Sequence, residues 1–460
     1  MKTLTLRTTC LSAALLTGCT LSNSSSGGAE GLNLETRSDR PSDRSVELYL
    51  NPGENPLAAL NEVETEDGYV LANNNVVVGS MMNELGSYFS AATLYQPNNA
   101  PYETETEQCE GSTLPDAVEV ICGNIAAPED DPETEENEAE GGVQLLFIDE
   151  TPTFAQHRVT GRRLLECARA AGFEYFVIEA LAEPASDLVA RGYVSKTASG
   201  TILREPQFAG LVEDAMALGY TPISLPPDSF CAECTPAEAF SRSAEPKADS
   251  LIQQTLDVNP KAKVLVWTAP GQAFEQKWGA RPFIDSLASF VFTKTSIDPY
   301  TFIQLTIEPR ASFGPATASG IFVATGPNNG SCSGSYSPGS ATGLSTHDGV
   351  IIHVAPPVGS RGSDAERWAW LHTPAANQMS VTPECATCMA GQRLLVQAFP
   401  PAVDTADRVP ADQVLCAAGD TCQLALPPGD YQLVVWSEAE QLGTTQVTLA
   451  AGTPTTVTMN

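Results

Sequence analysis

The sequence predicts an α/β protein, a parallel sheet flanked by helices, followed by a small C-terminal antiparallel β-sandwich. Two patterns carry this. From Val143 onward short apolar strands alternate with helical stretches, and strands that read as unbroken apolar runs belong to a parallel sheet covered on both faces. From Arg393 onward apolar and polar residues alternate between Pro/Gly turns, as half-buried antiparallel strands require. At 460 residues the chain exceeds one typical core, so more than one domain is expected.

The first element in chain order is a leader. Lys2 and Arg7 precede the apolar run Cys10 to Leu16, which ends in Leu16-Thr17-Gly18-Cys19. This is the pattern of a lipoprotein signal peptide over residues 1–18, with acylation expected at Cys19. Several acyl chains on one cysteine hold a protein to a membrane more firmly than one chain does. Thr20, in place of Asp, resembles the enterobacterial signal for the outer membrane. A lipid-anchored outer-membrane protein is therefore expected, with the face of the membrane left open.

Residues 19–45 are rich in Ser, Gly and Arg/Asp and read as a flexible tether. Residues 46–142 form an N-terminal segment with short apolar stretches and an acidic low-complexity insert. Its part from 101 to 142 carries fourteen acidic residues and reads as a linker or long surface loop. It lacks the spacing of a calcium-binding EF-hand loop. The whole chain has a formal charge of -32, and no Lys or Arg occurs between Ser45 and His157. Such a field repels phosphate backbones, which argues against nucleic acid as a partner.

Twelve cysteines are present. Cys10 leaves with the leader and Cys19 takes the lipid. The short separations predict disulfides within Cys109/Cys122, Cys231/Cys234, Cys385/Cys388 and Cys416/Cys422, leaving Cys167 and Cys332. The two CxxC pairs have zinc-site spacing, but they lie far apart in a chain expected outside the cytoplasm, so staples are the expectation and no metal is assigned.

Residues 143–312 form the α/β domain. Its expected strands are Gln144 to Asp149, Phe173 to Ile178, Thr221 to Leu225, Lys263 to Thr268 and a closing Phe302 to Thr306. Its helices are His157 to Ala171, Phe208 to Leu218 and Ala248 to Leu256. Ligands bind such sheets beyond the carboxyl ends of the strands, which brings Asp149, Glu150, Glu179, Gly271 and Gln272 to one crevice. Residues 313–390 read as a Gly/Ser/Pro-rich connection containing one strand, Val350 to Val354. Residues 391–460 supply the sandwich strands Arg393 to Phe399, Tyr431 to Trp436 and Thr445 to Leu449. Leu426 to Val435 resembles the closing hairpin of small modules appended to surface proteins, where a stabilising or spacing role outweighs ligand binding.

Asp149-Glu-Thr-Pro-Thr-Phe-Ala-Gln-His-Arg158, with Glu179, Gly192-Tyr193 and Arg204-Glu-Pro206 after it, resembles the erythromycin-esterase/ChaN-like superfamily. The similar stretch runs from about Val143 to Thr306. The resemblance implies a Glu at the end of the first strand, a His close behind it and a second Glu at the end of the next strand. Members include esterases, haem-binding lipoproteins and metalloproteases. The bacterial subgroup most similar here reads Asn-Glu-x-His-His-x-Pro-x-His-Arg, so Glu150, His157 and Arg158 match while Pro152 and Thr153 replace adjacent histidines. A second block, Val-His-Ala-Gly-Tyr-Gly-His-Ala in the subgroup, becomes Val266 to Ala273, with Trp267 and Gln272 in place of histidines. A third becomes Ala244 to Leu251, without its Arg and Asn. Ser296 to Leu305 matches the Asp-Pro and Gln of the closing strand.

Activating water or ligating a metal or haem iron needs an imidazole or carboxylate at the crevice, and Pro, Thr, Trp and Gln are poor substitutes. The resemblance leaves Glu150, Glu179 and His157 as catalytic candidates, the carboxylates as a pair in which one charge raises the other's pKa. Arg158, Tyr193, Glu205 and Gln272 are candidates for ligand binding. Arg158 has an equally simple role as the ionic partner of Glu150 or Glu179. A Gly-x-Ser-x-Gly-like run at Gly330 to Gly334 lies in a low-complexity loop and not at a strand-to-helix elbow. His347, Asp348 and His353 are spaced for a metal, yet ordinary loop and strand roles are the default in a chain with four histidines. The expectation is a membrane-anchored binding or scaffolding lipoprotein with a decayed catalytic site, no cofactor and an unidentified small-molecule or protein ligand. The alternatives are a hydrolase using the carboxylate pair with His157, and a haem- or metal-binding lipoprotein.

Overall fold

The computed structural model describes residues 116–126, 142–151, 154–200, 202–227, 236–269, 271–274, 285–307, 321–325, 348–354, 377–383, 388–389, 391–401, 404–451 and 455–459. Cys19, the tether, most of the 46–142 segment, Pro152, Thr153, Cys109, Cys231, Cys234 and Cys385 lie outside these residues. Among the described residues no helix is long and apolar enough to cross a membrane.

The first described element is α1 (Ala117–Ala126). Then come β1 (Leu145–Asp149), α2 (Ala155–Ala170), β2 (Phe173–Ile178), α3 (Ala185–Arg191), α4 (Pro206–Ala217) and β3 (Thr221–Ser224). They are followed by α5 (Pro236–Gln254), β4 (Lys263–Thr268), α6 (Leu287–Thr295), β5 (Tyr300–Ile307), β6 (Ile321–Thr325) and β7 (Gly349–Val354). The strands form one seven-stranded sheet in the order β3-β2-β4-β1-β5-β7-β6. All neighbours run parallel except β6, which lies antiparallel on β7 at the edge. The strand expected to close the domain, β5, is thus followed by two more, and the sheet continues into the stretch that the sequence marked as a connection.

Burial explains the unbroken apolar runs. On β1, Leu146 and Ile148 enter a cluster shared with α1, α2, α3 and α4, whereas Leu145 and Phe147 enter another shared with α5 and α6. Successive side chains point to opposite faces, so a strand buried on both sides has no polar positions to alternate with. The register sets Asp149 beside Thr268 and Ile178 beside Trp267. The helices after β1 and β2 pack on one face and the helix after β4 on the other. β4 therefore has a divergence of connections on each side, which is where crevices form in open α/β sheets.

The C-terminal strands are β8 (Asn377–Pro383), β9 (Arg393–Phe399), β10 (Asp412–Ala417), β11 (Cys422–Leu426), β12 (Gly429–Trp436), β13 (Gln441–Leu449) and β14 (Thr455–Met459). They form a four-stranded sheet, β10-β9-β12-β13, and a three-stranded one, β11-β8-β14. Met379, Val381, Leu424 and Leu426 from one meet Val396, Ala398, Leu433 and Val435 from the other in a shared core. The sandwich is not wholly antiparallel, because β14 pairs with β8 in parallel, and β8 precedes residue 391.

The sandwich packs directly against the first domain. Ser195 and Arg408 form an antiparallel bridge, with Val409 N donating to Val194 O at 3.1 Å. The Asp407 carboxylate accepts from the hydroxyls of Ser195 and Thr197, each at 2.6 Å, and of Tyr193 at 3.2 Å. Arg408 pairs with Glu213 of α4 at 2.6 Å, and Ala425 of β11 rests on Ala155 and Val159 of α2. The module is a buttress of the α2 and α4 helices and more than an appended spacer.

Cys416 and Cys422 form the expected disulfide. The expected Cys109/Cys122 pair is not formed, because Cys122 bonds to Cys167, 45 residues away. The cause is helix packing: α1 lies against α2, which brings the two Cα atoms to 5.7 Å, inside the range a disulfide spans. Cys388 is also disulfide-bonded.

Candidate functional site

The crevice at the ends of β1, β2 and β4 gathers the candidates, and nearly all of them are already engaged. Glu150, at the exit of β1, accepts from Arg158 Nε at 3.0 Å, Arg158 Nη2 at 3.2 Å and Trp267 Nε1 at 2.8 Å. Arg158 also donates to Glu205 at 2.8 Å, and its guanidinium lies 4.7 Å above the Phe208 ring. Glu205 is the N-cap of α4, accepting from Gln207 N and Phe208 N, both at 2.8 Å. Such a cap satisfies two of the orphan amides of the first turn. Burial opposes the charge on Arg158, but Glu150 and Glu205 overcome it and raise the guanidinium above its ordinary value. The result is a buried Glu-Arg-Glu bridge from β1 to α4, a structural use of residues that the resemblance marked for catalysis and ligand binding.

Glu179, at the exit of β2, does not pair with Glu150. Its partner is Lys247 of α5, at 2.6 Å, with Ala269 N at 2.7 Å and the Thr268 hydroxyl as further donors. Burial works to raise its pKa, and the Lys247 ammonium with these donors outweighs burial and leaves the carboxyl below the usual range. The expected carboxylate pair of Glu150 and Glu179 is therefore replaced by two separate ion pairs. The elevated carboxyl is Asp149. Burial pushes it well above the carboxylate range, Glu179 and Glu150 add to this, and the Gly271 amide, which donates to Oδ2 at 2.6 Å, opposes it. Among the described residues its Oδ1 is buried and meets no hydrogen-bond partner.

His157, in the first turn of α2, is fully buried. Its Nδ1 accepts from Thr151 N at 3.0 Å, so the neutral ring carries its proton on Nε2. The basic lone pair that a catalytic role requires is taken. Its ring stacks on His353 of β7 with centroids 4.6 Å apart, and His353 Nε2 meets Gln304 Oε1 at 2.9 Å. Burial, the neighbouring His353 and Arg158 hold His157 well below its ordinary value, and burial pushes His353 down to about 3.

The remaining candidates leave the crevice chemistry altogether. Gln272 Oε1 accepts from Leu287 N at 2.9 Å, at the start of α6. Tyr193 is held in the interdomain contact with Asp407, and Asp348 accepts from Thr301 N at 2.7 Å at the start of β5. Among the described residues no group of three His, Cys, Asp or Glu side chains is arranged to hold a metal ion. Sequence reasoning did not assign Lys247 or Asp149 a role, nor Trp267 a role as donor.

No family profile and no curated protein matches the chain. Among solved structures, one described as "Bacterial protein toxins" is similar at 10% identity and a TM-score of 0.27, covering 54% of this chain and 53% of that one. The type III effector HopBA1 is similar at 11% identity and a TM-score of 0.26, covering 53% of this chain and 97% of that one. The chain thus spans about half the length of the first and nearly all of the second. Likenesses at these TM-scores bear on neither fold family nor function.

Proposed function

We propose that this protein is a lipid-anchored lipoprotein of the bacterial outer membrane, held through Cys19, whose erythromycin-esterase/ChaN-like domain binds or scaffolds and no longer catalyses. The observation that carries the reading is the Trp267 indole on Glu150. The resemblance gives that position to histidine, and an indole N–H can only donate. Glu150, Glu179 and His157 are in turn occupied by Arg158, Lys247 and Thr151. Removing one general base costs about 10²- to 10⁴-fold in rate, and groups that act as a unit lose their effect together.

The test is hydrolysis of ester and peptide panels, with haemin titration, by the purified mature protein. Rates at the uncatalysed background and no stoichiometric haem binding are expected. One observation favours a second reading, a carboxylate-only hydrolase. Burial raises the pKa of Asp149 while Lys247 and the neighbouring donors lower that of nearby Glu179, and carboxyls driven apart in pKa are how acid and base roles are divided. Turnover that vanishes in folded Asp149→Asn and Glu179→Gln variants would establish that reading and overturn the first.

A further inference from the structure

On the sheet face that carries α2, α3 and α4, each of these helices sits between consecutive strands of the sheet. α1 does not; it precedes the sheet altogether. It is the described helix that packs against α2 and reaches β6, and its Asn124 amide donates to the Tyr300 hydroxyl at the start of β5, at 2.6 Å. Ala117, Val118, Ile121 and Ile125 are buried in the cluster that contains Phe302 of β5 and Ile351 of β7. α1 thus covers apolar positions on the β5 and β7 side, and the chain returns from it to β1 through the acidic residues 127–141.

Its hold is slight apart from one bond. A ten-residue helix is marginal on its own. Three large apolar side chains and one alanine roughly offset, and do not greatly exceed, the cost of ordering the backbone that carries them. The Asp116 to Arg163 ion pair, at 3.0 Å, joins side chains 32% and 30% exposed and adds little. The covalent tie is the Cys122–Cys167 disulfide to α2, whose two cysteines are each half-buried.

The geometry points to α1 as a thiol-switched cover: the Cys122–Cys167 bond keeps it docked, and reduction releases it from the sheet while the rest of the α/β core stays folded. A dithiol supplies the two electrons and two protons. The S–S bond breaks, Cys122 and Cys167 become thiols, and the dithiol closes to its own disulfide. The inference is independent of whether the crevice is active.

The test is hydrogen exchange on the mature protein, comparing wild type with the Cys122→Ser/Cys167→Ser variant, in which Cys416–Cys422 is untouched. Amides of Val120 to Ala126 are expected to exchange about 100-fold faster or more, while those of Leu146 to Ile148 and Leu265 to Trp267 keep their protection. Wild type treated with a dithiol should show the same change and recover on reoxidation. Unchanged protection of α1 would mean that packing alone holds it, and simultaneous loss in α1, β1 and β4 would mean that it is an inseparable part of the core. Either result overturns the inference.

Discussion

Acidification should weaken this fold through its buried imidazoles before its carboxylates respond. His353 has an ordinary pKa of 6.5 and one of about 3 in the folded protein. The unfolded chain therefore binds a proton that the folded chain refuses throughout that interval, and stability falls as the pH drops through it. The stability is fully present above 6.5. At pH 5.5 His353 costs about 1.4 kcal/mol, and by pH 3 about 4 kcal/mol. His157, depressed by burial, His353 and Arg158, acts in the same direction. Asp149 works in the opposite sense, since its raised pKa lets the folded state keep a proton that the unfolded state sheds. Its effect cancels when two proteins that both contain it are compared. The assay is urea unfolding of the mature protein and of His353→Gln at pH 7.5, 6.5 and 5.5, with equal m-values required. Wild type is expected to lose about 1.4 kcal/mol more than the variant between pH 7.5 and 5.5. Parallel losses in the two proteins would refute the assignment of a neutral, buried His353.

Replacing Lys247 by Met should leave Glu179 as an uncompensated buried charge, costing about 3 to 5 kcal/mol, and adding Glu179→Gln should recover part of it; chemical unfolding of the two variants measures both. Asp407→Ala removes the acceptor of three hydroxyls, of which that of buried Ser195 costs about 1 kcal/mol or more if left unsatisfied. Calorimetry should then show the α/β domain and the sandwich melting in separate transitions where wild type shows one. Cys19→Ala should move the protein from the detergent to the aqueous phase and remove the acyl mass; unchanged partitioning and mass would sink the anchor.

Strands rich in buried apolar residues could be read from their residues alone: β2, β4 and β9 have the bounds expected of them. Elements with weaker contrast could not. β14, Thr-Thr-Val-Thr-Met, buries one residue of five, and the apolar stripe of α1 is hidden within the acidic stretch around it. The motif located Glu150, His157, Arg158, Glu179 and Glu205, because local spacing fixes which strand ends and helix starts they occupy. It could not reveal their partners, which come from distant segments: Trp267 is 117 residues from Glu150 and Lys247 is 68 from Glu179. A signal for Lys247 did exist. Ala244, Lys247, Ala248 and Leu251 recur at the spacing of one helical face, and a lysine on an apolar face requires a buried carboxylate. Pro246 obscured it by suggesting that the helix began only afterwards, although α5 continues through it.

Trp267 also limits which single substitutions this core accepts. A Cβ placed on Gly161 would fall 2.7 Å from two carbons of the indole six-membered ring, so helix α2 lies flush on the sheet only because one position has no side chain and the other has a large one. The two residues form a matched pair, and neither can be exchanged alone without a void or a clash. An imidazole at 267 would leave a void beside Gly161, and each unfilled Å³ in a core costs about 24 cal/mol. A larger residue at 161 would collide with the indole. A change at either position is therefore penalised in stability until the other changes with it.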